Sequence, residues 1–142
     1  MKKGKVIKIA VVEDDLFFRS SVLHFIKKLC QKECNAFFDF EISLFEEPED
    51  AILELEDDLN IMLLDYHFGS RGGEQLTGED VLFAVNQKCS NCEVILISGQ
   101  TEPELITRLK GKGIKQFIDK NKSNIQVFGS TVNQSIQNLI NA

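Results

Sequence analysis

The residues best suited to chemistry stand at the ends of short apolar runs that are typical of buried strands. An acidic triplet, Glu13 to Asp15, follows the first such run, and Asp65 follows a later one. Ser98 and Lys120 follow two further runs. In an open parallel sheet the carboxyl ends of the strands lie along one edge, where ligands bind. We therefore expect these side chains to meet in one acidic pocket that also contains a lysine and a hydroxyl.

Carboxylates gathered in this way repel one another unless a cation lies among them. Hard oxygen ligands suit Mg²⁺, so we expect Mg²⁺ as the cofactor. Each residue alone has an ordinary explanation, because an acidic pair at a helix start is usually a cap and a lone lysine is usually solvated. Their joint occurrence at several strand ends favours a common site.

Short apolar runs alternate with amphipathic stretches, which predicts βα units and a parallel sheet. We predict one α/β domain over residues 1–142, with five strands, five helices and no linker or repeat. The predicted strands are Val6–Val12, Phe38–Leu44, Ile61–Leu64, Val94–Ile97 and Ile114–Ile118. The predicted helices are Leu16–Lys32, capped by Asp14 or Asp15, then Pro48–Glu56, Gly78–Asn86, Glu102–Lys110 and Ser123–Ile140.

Size, charge and hydropathy exclude several classes of function. The 142 residues are enough for a proper core, and 43% hydrophobic with 27% charged residues is ordinary for a soluble protein. A net charge of −6 argues against direct nucleic-acid binding, which needs a basic surface. No apolar stretch approaches the roughly 20 residues that span a bilayer, and the basic start lacks the apolar region of a signal peptide. We expect a cytoplasmic protein that does not bind membranes.

With these residues placed on strand ends, the chain resembles the receiver domain of bacterial two-component response regulators over about residues 6–140. The resemblance implies a flavodoxin-like (βα)5 fold, a doubly wound five-stranded parallel sheet with strand order 2-1-3-4-5. Each matching segment alone is a weak signal, but the ordered set is specific. The segments are Ile9-Ala-Val-Val-Glu-Asp-Asp15 with Arg19, Leu63-Leu-Asp65, Thr77-Gly78, Ile97-Ser-Gly99 and Phe117-Ile-Asp-Lys120.

The resemblance implies that Asp65 is the phosphoacceptor. Its carboxylate would attack the phosphorus of a phosphohistidine donor and form an acyl phosphate. The resemblance, aligned on Arg19, also implies that Glu13 and Asp14 are the metal-binding pair and that Asp15 lies outside it. With Asp65 and the backbone carbonyl of His67, the pair would hold Mg²⁺.

The resemblance also implies a switch beside the acceptor. Lys120 would pair with Asp65 before the reaction and with the phosphoryl group after it. Ser98 would donate a hydrogen bond to a phosphoryl oxygen and move toward it, and Phe117 would fill the space behind Ser98. The result would be a surface with two states around the fourth helix and the fifth strand.

We therefore expect a signalling phosphoacceptor rather than an enzyme. Its partners would be a histidine kinase or histidine phosphotransfer protein and a downstream output protein or domain, and a homodimer is compatible with the resemblance. Two alternatives stay open. One is a degenerate receiver that binds partners without phosphorylation. The other is a haloacid-dehalogenase-like phosphatase, which needs a second aspartate where this chain has His67.

The chain departs from the family pattern at three places. The loop after Asp65 is longer than usual and lacks a proline, Asn121 stands where a proline usually follows the lysine, and Ser98-Gly99 replaces the commoner Thr-Ala. In receivers, the positions of His67 and Gln100 tune hydrolysis of the acyl phosphate. His67 would either steer the attacking water or be an exposed loop residue.

Four cysteines raise the question of a zinc site or a disulfide. Cys89 and Cys92 have CxxC spacing, whereas Cys30 and Cys34 lie further apart. The two pairs would precede the second and fourth strands, which are separated by two others at roughly 4.8 Å spacing, too far for one tetrahedral site. We expect free thiols of a reducing compartment.

Overall fold

The computed structural model of the protein describes residues 6–31, 38–66, 76–89, 91–99, 102–121 and 125–141. Predictions that concern His67, Gln100 and Cys34 fall outside these ranges. Within them, every helix is too short or too polar to cross a lipid bilayer.

One five-stranded parallel sheet has the order β2-β1-β3-β4-β5, which confirms the predicted fold class. The strands are β1 (Val6–Val12), β2 (Asp39–Phe45), β3 (Ile61–Asp65), β4 (Glu93–Ser98) and β5 (Ile114–Asp119). The helices are α1 (Leu16–Cys30), α2 (Pro48–Leu53), α3 (Gly78–Lys88), α4 (Pro103–Gly111) and α5 (Ile125–Ile140).

The sheet is covered on both faces, which explains why its central strands are continuous apolar runs. All five residues of β3 are buried. One face packs against α1 and α5, and the other against α2, α3 and α4. Because burying a large aliphatic side chain contributes about 1.5–3 kcal/mol, these two layers supply most of the stability that holds the strand ends in place.

The largest correction to the predicted elements concerns α2, which ends at Leu53 and not at Glu56. Leu53 is 81% exposed, whereas Leu55 is 6% exposed and packs into the core. The chain leaves the helix at this point because burial of Leu55 outweighs continued helix formation. In addition, α1 ends at Cys30 instead of Lys32, α3 extends to Lys88, and β2 lies one residue later than predicted.

Two helix caps fix the segments that follow strand ends. Asp15, one of the two predicted candidates, caps α1, and its Oδ1 accepts hydrogen bonds from the backbone N–H groups of Phe17 (2.9 Å) and Phe18 (3.2 Å). Thr77 caps α3 in a reciprocal arrangement with Asp80. Asp15 is thus committed to capping, which leaves Glu13 and Asp14 in the turn between β1 and α1.

Candidate functional site

Three carboxylates meet at the carboxyl edge of the sheet. Glu13 directly follows β1 and Asp65 ends β3, the strand paired with β1. Both are buried, at 2% and 5% exposure, and Asp14 is half-buried. One oxygen from each of the three lies within 4.8 Å of the others. The structure therefore brings together the acidic residues that the sequence predicted to converge.

Lys120 reaches the same cluster from the turn after β5. Its Nζ lies 2.6 Å from Glu13 Oε1 and 3.2 Å from Asp65 Oδ2. Its backbone N–H donates to the carbonyl of Ser98, at 3.0 Å. Ser98 ends β4, the strand between β3 and β5, and is 1% exposed. The predicted lysine and hydroxyl residue thus lie at the same edge as the carboxylates.

Burial governs the electrostatics of the cluster. It raises the pKa of Glu13 to about 7, aided by the negative charge of Asp65 and opposed by Lys120. Burial likewise raises the pKa of Asp65, and Lys120 opposes the change. Burial alone would lower the pKa of Lys120, but the ion pairs with Glu13 and Asp65 outweigh it and raise the pKa. Two buried carboxylates therefore share one ammonium group, and a third, that of Asp14, lies close to both.

This imbalance fits a divalent cation. Glu13 Oε1 is buried and meets the Lys120 ammonium as an ion pair without hydrogen-bond geometry. With the nearby oxygens of Asp14 and Asp65, it forms an oxygen-only donor set of the kind that Mg²⁺ prefers. The fourth predicted ligand, the carbonyl of His67, lies outside the described residues and stays a prediction.

The backbone of Glu13 is held by contacts from two other elements. Arg19 Nη1 donates to the Glu13 carbonyl at 2.9 Å, and the Glu13 N–H donates to the Phe45 carbonyl at 2.9 Å. The N–H of Asp15 donates to Glu13 Oε2 at 3.0 Å. The acidic turn is therefore preorganised, and Arg19, noted in the sequence only for its spacing, acts as a clamp on it.

Gly78 allows a close backbone approach beside Asp65, the predicted phosphoacceptor. Its N–H donates to the Tyr66 carbonyl at 2.8 Å. A Cβ at this position would lie 2.5 Å from the carbonyl oxygen of Asp65 and 2.9 Å from the Tyr66 Cα. Only glycine fits without displacing the segment that carries Asp65.

The predicted switch residues lie on one face of neighbouring strands. Phe117 is half-buried and packs with Tyr66 against the core layer beneath α2, α3 and α4. Leu96, its register partner on β4, belongs to that layer. Side chains alternate along a strand, so Ser98, two residues after Leu96, is on the same face.

Asn121 occupies the place where the resemblance leads one to expect proline. Its Nδ2 donates to the Gly99 carbonyl at 3.1 Å, and its N–H donates to Asp119 Oδ1 at 2.8 Å. The peptide bonds of the described residues are all trans. The amide side chain thus joins the end of β5 to the end of β4, next to both Lys120 and Ser98.

Sequence reasoning missed two features near the site. The ring of Phe18, in the first turn of α1, lies under the Lys120 ammonium. Glu79 on α3 pairs with Arg108 at 2.8 Å and also with Lys112, which ties α4 to α3. The position of Phe18 three residues after the capping aspartate indicates that it lies near the sheet edge, but no sequence pattern specifies its contact with Lys120. The cross-helix pairs had no comparable signal.

The three cysteines that the structure describes are free thiols. Cys89 is buried, while Cys30 and Cys92 are half-buried. The Sγ of Cys89 donates to the Glu56 carbonyl at 2.7 Å. Cys30 is the last residue of α1, within the bounds of the predicted first helix. Among the described residues, the acidic cluster is the one group with metal-binding geometry.

Comparison of the sequence with protein-family models and with curated proteins gives no match. Solved structures give many. The BeF3-activated receiver domain of DrrB has 18% identity and a TM-score of 0.74, over 93% of this chain and 98% of that one. The signal receiver domain of a putative LuxO repressor protein from Vibrio parahaemolyticus has 21% identity and a TM-score of 0.72, over 96% and 98%.

A CheY-like response regulator receiver domain protein from Methanospirillum hungatei has 15% identity and a TM-score of 0.71, over 94% of this chain and 96% of that one. At such low identity the likeness establishes the fold, and function has to be argued from the site. The chain therefore has the flavodoxin-like fold of response regulator receiver domains, with an acidic cluster and a lysine at the carboxyl edge of its sheet.

Proposed function

We propose that this protein is a receiver that takes a phosphoryl group onto Asp65 from a phosphohistidine donor, in a Mg²⁺-dependent reaction, and signals through protein contacts. The observation that carries the proposal is the convergence of Asp65, two further carboxylates and Lys120 at the carboxyl edge of a receiver-fold sheet. Phosphoryl transfer depends on positioning and charge neutralisation, and this arrangement supplies both.

The proposed transfer is a displacement at phosphorus. A carboxylate oxygen of Asp65 forms the new P–O bond, the P–N bond to the donor imidazole breaks, and the electron pair leaves with that nitrogen. The product is an acyl phosphate on Asp65. Lys120, 3.2 Å from Asp65 Oδ2, is close enough to pass from the carboxylate to the phosphoryl oxygens as they arrive.

Glu13, Asp14 and Asp65 are the residues that would hold Mg²⁺. A bound Mg²⁺ would offset negative charge on the phosphoryl oxygens. Asp65 then has to remain anionic in a buried setting that raises its pKa, and Lys120 favours the anion. The hydrogen bonds to the backbone of Glu13 keep the ligand set in place without help from the donor.

The proposed readout is a change around α4 and β5. Ser98 is buried next to the segment that carries Lys120, and its hydroxyl is the group that would follow a new phosphoryl oxygen. Phe117 shares its face of the sheet and is half-buried, so an inward rotation would remove more of its ring from solvent. The altered surface would contact a downstream protein or domain, which makes the protein a signalling component with its own side chain as substrate.

Exposed apolar residues beside the site support a protein as the donor. Leu16 and Phe17 open α1 directly after the acidic turn, and they are 63% and 86% exposed. Adjacent large apolar side chains on a surface are typical of protein contacts. We propose a histidine kinase or a histidine phosphotransfer protein as this donor, and the cytoplasm as the place of the reaction.

The experiment is intact-mass measurement after incubation with acetyl phosphate and Mg²⁺. We expect one added phosphoryl group on the wild type, and none on Asp65→Asn or when EDTA replaces Mg²⁺. Asp57→Asn, a matched change at an exposed turn residue, should be modified like the wild type. A folded, Mg²⁺-binding protein that gains no phosphoryl group from acetyl phosphate or from a phosphorylated histidine kinase would instead be a constitutive partner-binding module.

A further inference from the structure

The side chain of Phe18 has a different environment from those of the two residues that precede it. Leu16 and Phe17 point to solvent, whereas Phe18 is half-buried and packs against the core layer beneath α1 and α5. The centroid of its ring lies 4.7 Å from the Nζ of Lys120. This distance is within the range in which the face of an aromatic ring attracts a cation.

We propose that Phe18 is a positioning residue that holds the ammonium group of Lys120 over the acidic cluster through this cation–π contact. The inference deepens the proposed function and rests on it, because it assigns Phe18 a part in the phosphoryl-transfer reaction. The residue acts through Lys120 and does not touch the phosphoryl group.

The physical need for such a contact follows from the side chain of lysine. Lysine is a flexible four-carbon stem with a point charge at its tip, and it has no planar fork that fixes its direction. The ammonium of Lys120 has to serve Glu13, after β1, and Asp65, at the end of β3. A third contact that restricts the stem keeps the charge between these two partners.

An aromatic ring can hold the ammonium group without adding charge to the site and without occupying its hydrogen-bond donors. It attracts the cation through its quadrupole, so it adds no negative charge to a cluster that already has three carboxylates. It also leaves the three N–H donors of the ammonium free to point at oxygens. When a phosphoryl group arrives, the ammonium can turn from Asp65 to the new oxygens while the ring stays beneath it.

The ring is itself held rigidly. Asp15 Oδ1 accepts a hydrogen bond from the Phe18 N–H at 3.2 Å, which fixes the first turn of α1. The side chain of the next residue, Arg19, donates a hydrogen bond to the carbonyl oxygen of Glu13 at 2.9 Å. The same short segment thus positions the metal-binding turn and the ring that faces Lys120.

The test compares Phe18→Leu, which removes the ring, with Phe18→Tyr, which keeps it. Phe83→Leu is the matched control, because it removes an exposed ring from α3, which covers the opposite face of the sheet. The first readout is the NMR shift of the Lys120 ε-methylene protons, assigned with Lys120→Arg. We expect an upfield ring-current shift in the wild type, Phe18→Tyr and Phe83→Leu, and its loss in Phe18→Leu.

The second readout is the rate of phosphorylation by acetyl phosphate at saturating Mg²⁺. We expect Phe18→Leu to be slower by about 2- to 30-fold, the range to which cation–π energies convert, with Phe18→Tyr and Phe83→Leu within about 2-fold of the wild type. Phe18→Met replaces Phe18→Leu if the latter fails to fold.

A wild type without the upfield shift would overturn the inference, as would a Phe18→Leu protein that keeps the shift or is phosphorylated at the wild-type rate. The two proposals fail in distinguishable ways. A wild type that shows the shift but is never phosphorylated refutes the proposed function and, with it, the catalytic part of this inference.

Discussion

Lys8 and Lys120 each form ion pairs with two carboxylates, but the carboxylates differ in how far they are exposed to water. Lys8 Nζ pairs with Glu56 and Asp58 at 2.8 and 2.9 Å, and both carboxylates are more than half exposed. Lys120 pairs with Glu13 and Asp65, whose side chains are 3% and 6% exposed. Water can replace Lys8 but has little access to the partners of Lys120, so the second pair has far more effect on stability and reactivity.

We therefore predict that Lys120→Met lowers the free energy of unfolding by about 1–3 kcal/mol in EDTA, because it leaves buried carboxylates without their cation. Lys8→Met, its matched control, should leave the free energy of unfolding unchanged within error. Urea denaturation followed by circular dichroism measures both. Equal losses of unfolding free energy in the two variants would show that the burial of Glu13 and Asp65 does not strengthen their ion pairs with Lys120.

The half-buried cysteines give a pH-dependent prediction. Burial raises the pKa of Cys30 to about 11 and that of Cys92 to about 12, so less than about 1% of either thiol is ionised at pH 8. Alkylation by iodoacetamide should be slow at pH 8 and should rise steadily beyond pH 10, whereas an ordinary thiol levels off near its pKa of about 8.5.

Peptide mapping by mass spectrometry measures each cysteine separately. The same protein in urea is the control, and both residues should react there at the rate of ordinary thiols. Rapid labelling of Cys30 and Cys92 in the folded protein at pH 8 would contradict the burial that the structure gives them.

At the scale of elements, the junctions that follow β1 and β3 do most to build the site. The turn from β1 into α1 contains Glu13 and Asp14, Asp15 then caps α1, and Arg19 of α1 clamps the turn. The start of α3 contacts the segment after β3 through Gly78. The chemistry therefore depends on how helix starts meet strand ends, which is where packing tolerates least change.

Glycines at two helix ends make this dependence testable. Gly78→Ala should lower the free energy of unfolding by at least about 2 kcal/mol, because its Cβ would lie 2.5 Å from the Asp65 carbonyl oxygen. At Gly111, in the last turn of α4, an added Cβ meets nothing within 4 Å. Gly111→Ala should leave stability unchanged or raise it by up to about 1 kcal/mol. Denaturant titration measures the stability of both variants. A Gly78→Ala protein as stable as the wild type would refute the close approach of Gly78 to the Asp65 carbonyl.

A substitution at the exposed start of α1 should affect transfer from a protein donor but not from acetyl phosphate. Phe17→Ser should slow transfer from the histidine-donor protein by about 10-fold, the effect of losing one well-packed aromatic anchor, and leave phosphorylation by acetyl phosphate unchanged. Phe83→Ser on α3, where the ring is 66% exposed, is the control and should affect neither donor. Equal rates for Phe17→Ser and the wild type with the protein donor would place the docking surface elsewhere.

At the scale of the whole molecule, the sheet converts distant sequence positions into one site. Glu13, Asp65 and Lys120 could be predicted to meet because a parallel sheet gathers strand ends regardless of loop detail. The strands themselves could be predicted because their buried, continuous apolar runs leave little ambiguity. The end of α2 could not be predicted, because it depends on the position at which Leu55 packs into the core.

Contacts between residues of separate elements could not be predicted from the sequence either. The hydrogen bond from Asn121 to Gly99 and the ring of Phe18 under Lys120 depend on angles between elements that no local pattern specifies. The proline pattern of the family offered no guide to Asn121. The ligand role of His67 stays a prediction from the resemblance.

Chemical trapping identifies the carboxylate that becomes an acyl phosphate, which we propose is Asp65. The protein is incubated with acetyl phosphate and Mg²⁺, treated with sodium borohydride, which reduces an acyl phosphate to an alcohol, and mapped by peptide mass spectrometry. We predict homoserine at position 65 and at no other carboxylate. Conversion at another residue such as Asp14, or none in a folded protein that binds Mg²⁺, would contradict the claim.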